Sequence, residues 1–181
     1  MALTNPMSAD HIAAEAGSFE PQRSNNFSIE IALEAADKDL IIMGLQSVPL
    51  PNESNDEIEI QYQNEKRYIA GQYTIDSTTL IVRDFVDQDT RGALMRWRKK
   101  VYDPATGQVG LAADYKKSAN IVLTAPDGSE KRVCKLKGTW PQALTGGNLA
   151  MDASDQVLVE LTLRVDKAIW DLPGASGGGA G

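Results

Sequence analysis

Strict period-two alternation near the C-terminal end constrains this chain more than any other feature. Val157, Val159, Leu161, Leu163 and Val165 fall on one side, and Glu160, Thr162, Arg164 and Asp166 on the other. Successive side chains of an extended backbone point to opposite faces, so the run reads as a strand with one buried face. At about 3.3 Å per residue such a strand crosses a whole domain. The same period recurs at Phe27, Ile29, Ile31 and Leu33, opposed by Ser28, Glu30, Ala32 and Glu34. It appears again at Ile58, Ile60 and Tyr62, opposed by Glu57, Glu59, Gln61 and Gln63, and at Ala119, Ile121 and Leu123. Each predicts a half-buried strand. Residues 38–44, 66–70, 78–84 and 130–139 are less regular but rich in β-branched, aromatic or aliphatic side chains, and are read as further strands. Pro126-Asp127-Gly128 separates two of these runs with a dipeptide that tolerates positive φ, so residues 117–139 are predicted to form a hairpin.

One segment follows a different period. Ala93, Leu94, Trp97 and Val101 share a helical face, Asp87 or Asp89 supplies a cap, and Arg96, Arg98, Lys99 and Lys100 favour the negative end of the helix dipole. A helix over about 88–101 follows, weakened by Gly92 and stopped by the stretch from Tyr102 to Gly107. With 181 residues and 42% hydrophobic content the chain supports one core. The expected organisation is an N-terminal arm (1–25), a single β domain (26–170) and a Gly-rich tail (171–181). The expected fold is mainly β: a sandwich or partly closed barrel with one flanking helix.

The chain lacks a run of about 20 apolar residues and a signal-peptide pattern, so a soluble protein made in the cytoplasm, without a membrane anchor, is expected. A formal net charge of −7 opposes non-specific attraction to DNA, which depends on Lys and Arg displacing counterions. His11 is the only histidine and Cys134 the only cysteine, which leaves no Ser-His-Asp or Cys-His site and no Cys-based zinc site. No phosphate-binding or dinucleotide glycine pattern is present, and Gly146-Gly147 reads as a turn. Asp84, Asp87 and Asp89 lack the Gly and distant Glu of a calcium loop, and read as helix-capping residues. Glu57 and Glu59 read as a solvated strand face rather than an acid–base pair. The basic run 96–100 is read as a solvated helix end, with an acidic partner as the alternative. No catalytic, cofactor-binding or metal-binding residue is therefore expected, and no cofactor. Trp97 and Trp140 are taken as core aromatics rather than a ligand platform, and Cys134 as an inert buried thiol.

The order of motifs carries a resemblance. Ser47-Val48-Pro49-Leu50-Pro51 precedes the amphipathic strand ending in Tyr62-Gln63-Asn64; Tyr68-Ile69-Ala70-Gly71 follows, then the strand from Thr79 to Asp84 and the helix carrying Trp97. The second half continues with the Tyr102 to Gly107 stretch, Lys116-Lys117, the Pro126-Asp127-Gly128 turn, Gly138-Thr139-Trp140-Pro141 and a long final strand. Over roughly residues 27–167 this succession resembles the tail tube proteins of contractile-tailed bacteriophages, which are related to the tubes of contractile injection and type VI secretion systems. The loop departs from the family pattern, since 49–51 lacks its usual glycine.

The resemblance implies rings, hexameric in the family, that stack into a hollow virion tube assembled in the host cytoplasm. Such a tube conducts DNA without binding it specifically, templates the sheath, and meets baseplate or initiator, tape-measure and tail-terminator proteins. It implies no enzymatic activity. On this reading Val48, Pro49, Leu50 and Pro51 form an apolar, Pro-stiffened candidate ring-stacking loop, the alternative being a loop folded back on its own core. Glu160 and Asp166 are candidate lumen-lining carboxylates on the last strand, where negative charge repels phosphate. The alternatives are a tube-initiator or baseplate protein, an injection-system tube, and, from another class, a monomeric β-sandwich carbohydrate-binding module.

Overall fold

The computed structural model describes residues 21–147, 149–152 and 154–171. His11, most of the expected N-terminal arm and nearly all of the expected tail lie outside the described residues. The alternating segments form β1 (Phe27–Ile31), β8 (Lys117–Thr124) and β10 (Leu158–Arg164). Their inward sets, Ile29 and Ile31, Ala119 and Ile121, Val159, Leu161 and Leu163, are buried in one core. Around them stand β2 (Leu45–Ser47), β5 (Thr78–Arg83), β9 (Glu130–Thr145) and β11 (Lys167–Asp171). The hydrogen-bonded order is β1-β8-β9-β10-β5-β2, with β11 also on β9. The ends of this path, β1 and β2, are not paired, so the fold is mostly β with an open sheet. A hairpin of β3 (Glu53–Tyr62) and β4 (Glu65–Ile75) and a small ladder of β6 (Tyr102–Asp103) and β7 (Gln108–Val109) complete the strands among the described residues.

β9 joins two layers. Its first half pairs with β8 and β11, its second half with β10. The buried positions change parity between them, from Cys134 and Leu136 to Thr139 and Pro141. The change is a β-bulge at Gly138, which has φ +66° and lies where β8 advances two residues, Lys117 to Ala119, against three on β9. The neighbouring chain breaks at the same level. β10 ends at Arg164, Asp166 donates its N–H to the Lys137 carbonyl at 3.1 Å, and β11 resumes along β9. Asp166 also receives Lys116 Nζ at 2.6 Å. A side chain at 138 would collide with the Asp166 carboxylate, and positive φ disfavours any L residue. Gly138→Ala is therefore expected to cost about 2 kcal/mol or more. Urea unfolding checks this through a lower midpoint at unchanged slope.

The turn joining β8 to β9 forms as expected. Gly128 takes φ +82°, and Asp127 Oδ1 accepts from Ser129 N–H at 2.9 Å and from its hydroxyl at 2.6 Å. These hydrogen bonds hold the Asp127 carboxyl below the usual carboxylate range.

Among the described residues three helices accompany the strands: α1 (Ala35–Gly44), α2 (Thr90–Val101) and the single turn α3 (Ala112–Tyr115). α1 corrects the strand expected at 38–44. Leu40, Ile41, Ile42 and Met43 form an unbroken apolar run with no alternation, while Ala35, Ala36 and Asp37 favour a helical first turn. The fold thus has more than one flanking helix. α2 matches the predicted helix, starting two residues later. Asp89 caps it by accepting the Gly92 N–H at 2.8 Å, and Leu94 and Trp97 enter the core. Trp97 Nε1–H donates to the Tyr115 carbonyl at 2.8 Å, tying α2 to α3. Arg96 bridges Asp37 on α1 at 2.5 Å and Asp89 at 3.3 Å. Asp89→Ala removes the cap and one arm of that bridge, for an expected loss of about 1 kcal/mol and a melting temperature about 2–4 °C lower by calorimetry.

Cys134 is fully buried, and burial, followed by the Glu53 charge, pushes its thiol up to about 11. At pH 8 only about one thiol in a thousand is then ionised, so a disulfide reagent is expected to titrate Cys134 only as fast as the protein unfolds.

Candidate assembly site

The β3–β4 hairpin carries an apolar face that is exposed in the single chain. The two strands pack on each other and on little else. Cross-strand register places Ile58 opposite Ile69, Ile60 opposite Arg67 and Tyr62 opposite Glu65, so these six side chains share one face. Glu57, Glu59, Gln61, Lys66, Tyr68 and Ala70 share the other, where Lys66 pairs with Glu59 at 2.9 Å. Every residue of β3 is exposed, including Ile58 at 50% and Ile60 at 47%, and Ile69 on β4 is 51% exposed. This corrects the expectation of a half-buried strand over Ile58, Ile60 and Tyr62. Among the described residues the hairpin meets the body at its base, where Ile75 is buried and Tyr73 stands beside Glu53. Loss of solvent, then the Glu53 charge, raises the Tyr73 phenol above its ordinary value.

The loop before the hairpin divides its side chains. Val48 packs against the core and Pro51 is buried, while Pro49 and Leu50 are exposed. Between the unpaired strands β1 and β2 lies a groove of about 390 Å³, lined by Phe27, Val48, Leu50, Ile121 and Leu123, with Arg23 and small polar residues at its margin. Glu160 is exposed on the outward face of β10, opposite Ile81 and Thr145. Asp166 lies outside β10, at the bend before β11, which is itself the final described strand; its charge faces Lys116. The two carboxylates thus do not form one strand-borne row. The bend at Val165 and Asp166, which the alternation does not reveal, separates them.

Trp97 is 1% exposed. Trp140 is half-buried and meets Tyr115 edge to face, with centroids 6.0 Å apart. The two tryptophans do not make an open platform. The basic run on α2 is largely engaged within the chain: Arg96 as above, Lys100 with Glu34 at 3.8 Å and Lys99 with Asp103 at 3.9 Å. Among the described residues no group of three or more His, Cys, Asp or Glu side chains is placed to hold a metal ion. Sequence reasoning did not single out Ile58, Ile60 and Ile69 as an exposed apolar face. Their signal was present as alternation, but alternation does not say whose surface covers the face.

No protein-family model matches the chain. In sequence it is 28% identical over 159 residues to the tail tube protein gp19 of Enterobacteria phage T4, covering 85% of this chain and 93% of the relative. The same figures hold for gp19 of Enterobacteria phage T6. In fold it is similar to a chain of the PVC sheath–tube complex of an extracellular contractile injection system, with a TM-score of 0.67 at 22% identity, covering 91% of this chain and 98% of that one. It is also similar to the tube terminating cap of the anti-feeding prophage, with a TM-score of 0.68 at 18% identity, covering 84% and 92%. The chain is homologous to the tail tube protein gp19 of phages T4 and T6, and this kinship, together with the shared fold, supports a structural, tube-forming role.

Proposed function

We propose that the protein assembles into six-membered rings that stack into the inner tube of a contractile tail, a conduit for DNA and a template for the surrounding sheath. The observation that carries the reading is the β3–β4 hairpin, which exposes an isoleucine face and two unpaired strand edges. A two-stranded hairpin is marginal by itself, and open edges template further pairing. A closed ring of copies resolves both, because a head-to-tail contact repeated around an axis leaves no free end. The relatives' name, tail tube protein, and the sources of the similar folds support the same reading: a sheath–tube complex, a sheath/tube terminator and a baseplate symmetrised six-fold.

The role is structural rather than catalytic, and the place is the virion tail. The partners are other copies of the chain, sheath, baseplate or initiator, tape-measure and terminator proteins. Pro49 and Leu50 are the outward half of the proposed stacking loop, held in shape by the inward Val48 and Pro51. Glu160, in no ion pair among the described residues, is the stronger of the two lumen-lining carboxylates, since Lys116 neutralises Asp166. Sedimentation velocity over a dilution series tests self-association. The expected result is reversible formation of large discrete species from the 19.6 kDa chain; a monomer at every concentration contradicts it.

A further inference from the structure

We infer that the groove between the exposed face of α2 and the end of β9 docks a short acidic segment of a second protein, anchored by an apolar side chain. The inference rests on the self-association reading in one respect: that reading assigns copies of the chain to the β3–β4 hairpin and the loop over 48–51, and the groove takes no residue from either. Its volume is about 730 Å³, within the roughly 300–1,000 Å³ of ligand sites.

Helical spacing builds one wall. Met95, Arg98, Lys99 and Tyr102 follow one another at three, four and seven residues, so they share a side of α2 and its C-cap, away from the side that carries Leu94 and Trp97 into the core. Pro104, Ala143 and Leu144 add apolar surface from the chain after β6 and from β9. Met95 is 50% exposed and Tyr102 44%. Methionine, tyrosine and arginine are types enriched where proteins meet. The dipole of α2 accounts for cations in its last turn, but not for a thioether and a phenol ring left in solvent beside them.

Charge names the occupant. The charged side chains lining the groove, Arg96, Arg98 and Lys99, are all basic, in a chain with 25 acidic residues against 18 basic ones. Arg96 is held by Asp37 and Asp89, and Lys99 reaches Asp103 at 3.9 Å. Arg98 is half-buried and in no ion pair among the described residues. A guanidinium beside apolar surface suits a carboxylate, which it can hold through two parallel hydrogen bonds. Nucleic acid fits less well, because its backbone calls for a row of cations and a net charge of −7 repels it at long range. One such contact is weak. Along a stack of copies it repeats, so a partner that presents its segment at the same spacing binds through avidity.

The probe is a fluorescein-labelled heptapeptide, Glu-Leu-Glu-Glu-Leu-Glu-Glu, titrated with the full chain and followed by fluorescence polarisation. The expected result is saturable binding, weakened at least about tenfold by Arg98→Glu and by Tyr102→Ala. Lys131→Glu, the same change of charge at an exposed position outside the groove, should leave it unchanged. Calorimetry checks that each variant is folded, and Lys99→Glu at the exposed rim repeats the charge test where Arg98→Glu lowers the melting temperature. Absence of saturable binding, equal weakening by Lys131→Glu, or tighter binding of a short DNA duplex or of the same peptide with Lys for Glu overturns the inference. Sedimentation of Arg98→Glu separates the readings. It should self-associate as the unchanged chain does; if it does not, the groove is a contact between copies and the second protein is overturned as occupant. An unchanged chain that is monomeric at every concentration, yet binds the peptide in the expected pattern, fails the self-association reading while the groove's assignment stands.

Discussion

Ile60→Asp is expected to abolish self-association at concentrations where the unchanged protein assembles, while the melting temperature of the isolated chain moves by no more than about 1–2 °C. The two halves of this result come from one fact: Ile60 is half-exposed on a strand that touches little but its hairpin partner. In the single chain the substitution removes no core contact, and surface changes of this kind stay within about 0.5 kcal/mol. In the proposed assembly the same side chain is covered. Losing the remaining apolar burial costs about 1 kcal/mol, and placing an unpaired carboxylate there costs several more. Every copy carries the defect, so the concentration required for assembly rises by at least about a hundredfold. Sedimentation and calorimetry on the same sample read both halves. A drop of many degrees in the melting temperature shows that Ile60 serves the chain's own fold.

Trp97→Ala is expected to have the opposite profile. Truncating a fully buried tryptophan costs about 3–5 kcal/mol, and here it also strands the Tyr115 carbonyl that accepts the indole N–H at 2.8 Å. Against a typical total stability of about 5–15 kcal/mol, the melting temperature should fall by about 10–15 °C. The measurement belongs in the Ile60→Asp background, where association does not add to apparent stability. Trp97→Phe keeps most of the volume and loses the hydrogen bond, so it should fall between, at about 1–3 kcal/mol. An alanine variant as stable as its parent would show that α2 does not anchor the core through Trp97.

The sequence was legible wherever a segment's apolar face meets its own core without interruption. β1, β8 and β10 announce themselves by alternation because Ile29, Ile121 and Leu161 sit inside the same molecule that encodes them. The longest strand, β9, was only half legible: Gly138 shifts the parity of its buried residues, and the strand expected at 130–139 runs on through Pro141, which sits beside a second irregularity opposite Leu163. α1 was misread because its apolar run is contiguous and its helix-forming alanines precede the segment considered. Most of the candidate site escaped for a different reason. Period two identifies residues that share a face, as it did for Ile58, Ile60 and Tyr62, but an exposed face has the same period as a buried one. Pro49 and Leu50 were singled out, with Val48 and Pro51, because an exposed apolar loop is unusual in any context.

The most direct test of the account is negative-stain electron microscopy of the purified chain over a concentration series, beside Ile60→Asp under the same conditions. Stacked rings or hollow tubes of uniform diameter from the unchanged protein, absent from the variant, are the predicted result. Uniform monomers from the unchanged protein at every concentration, or tubes that form equally well from the variant, would contradict it.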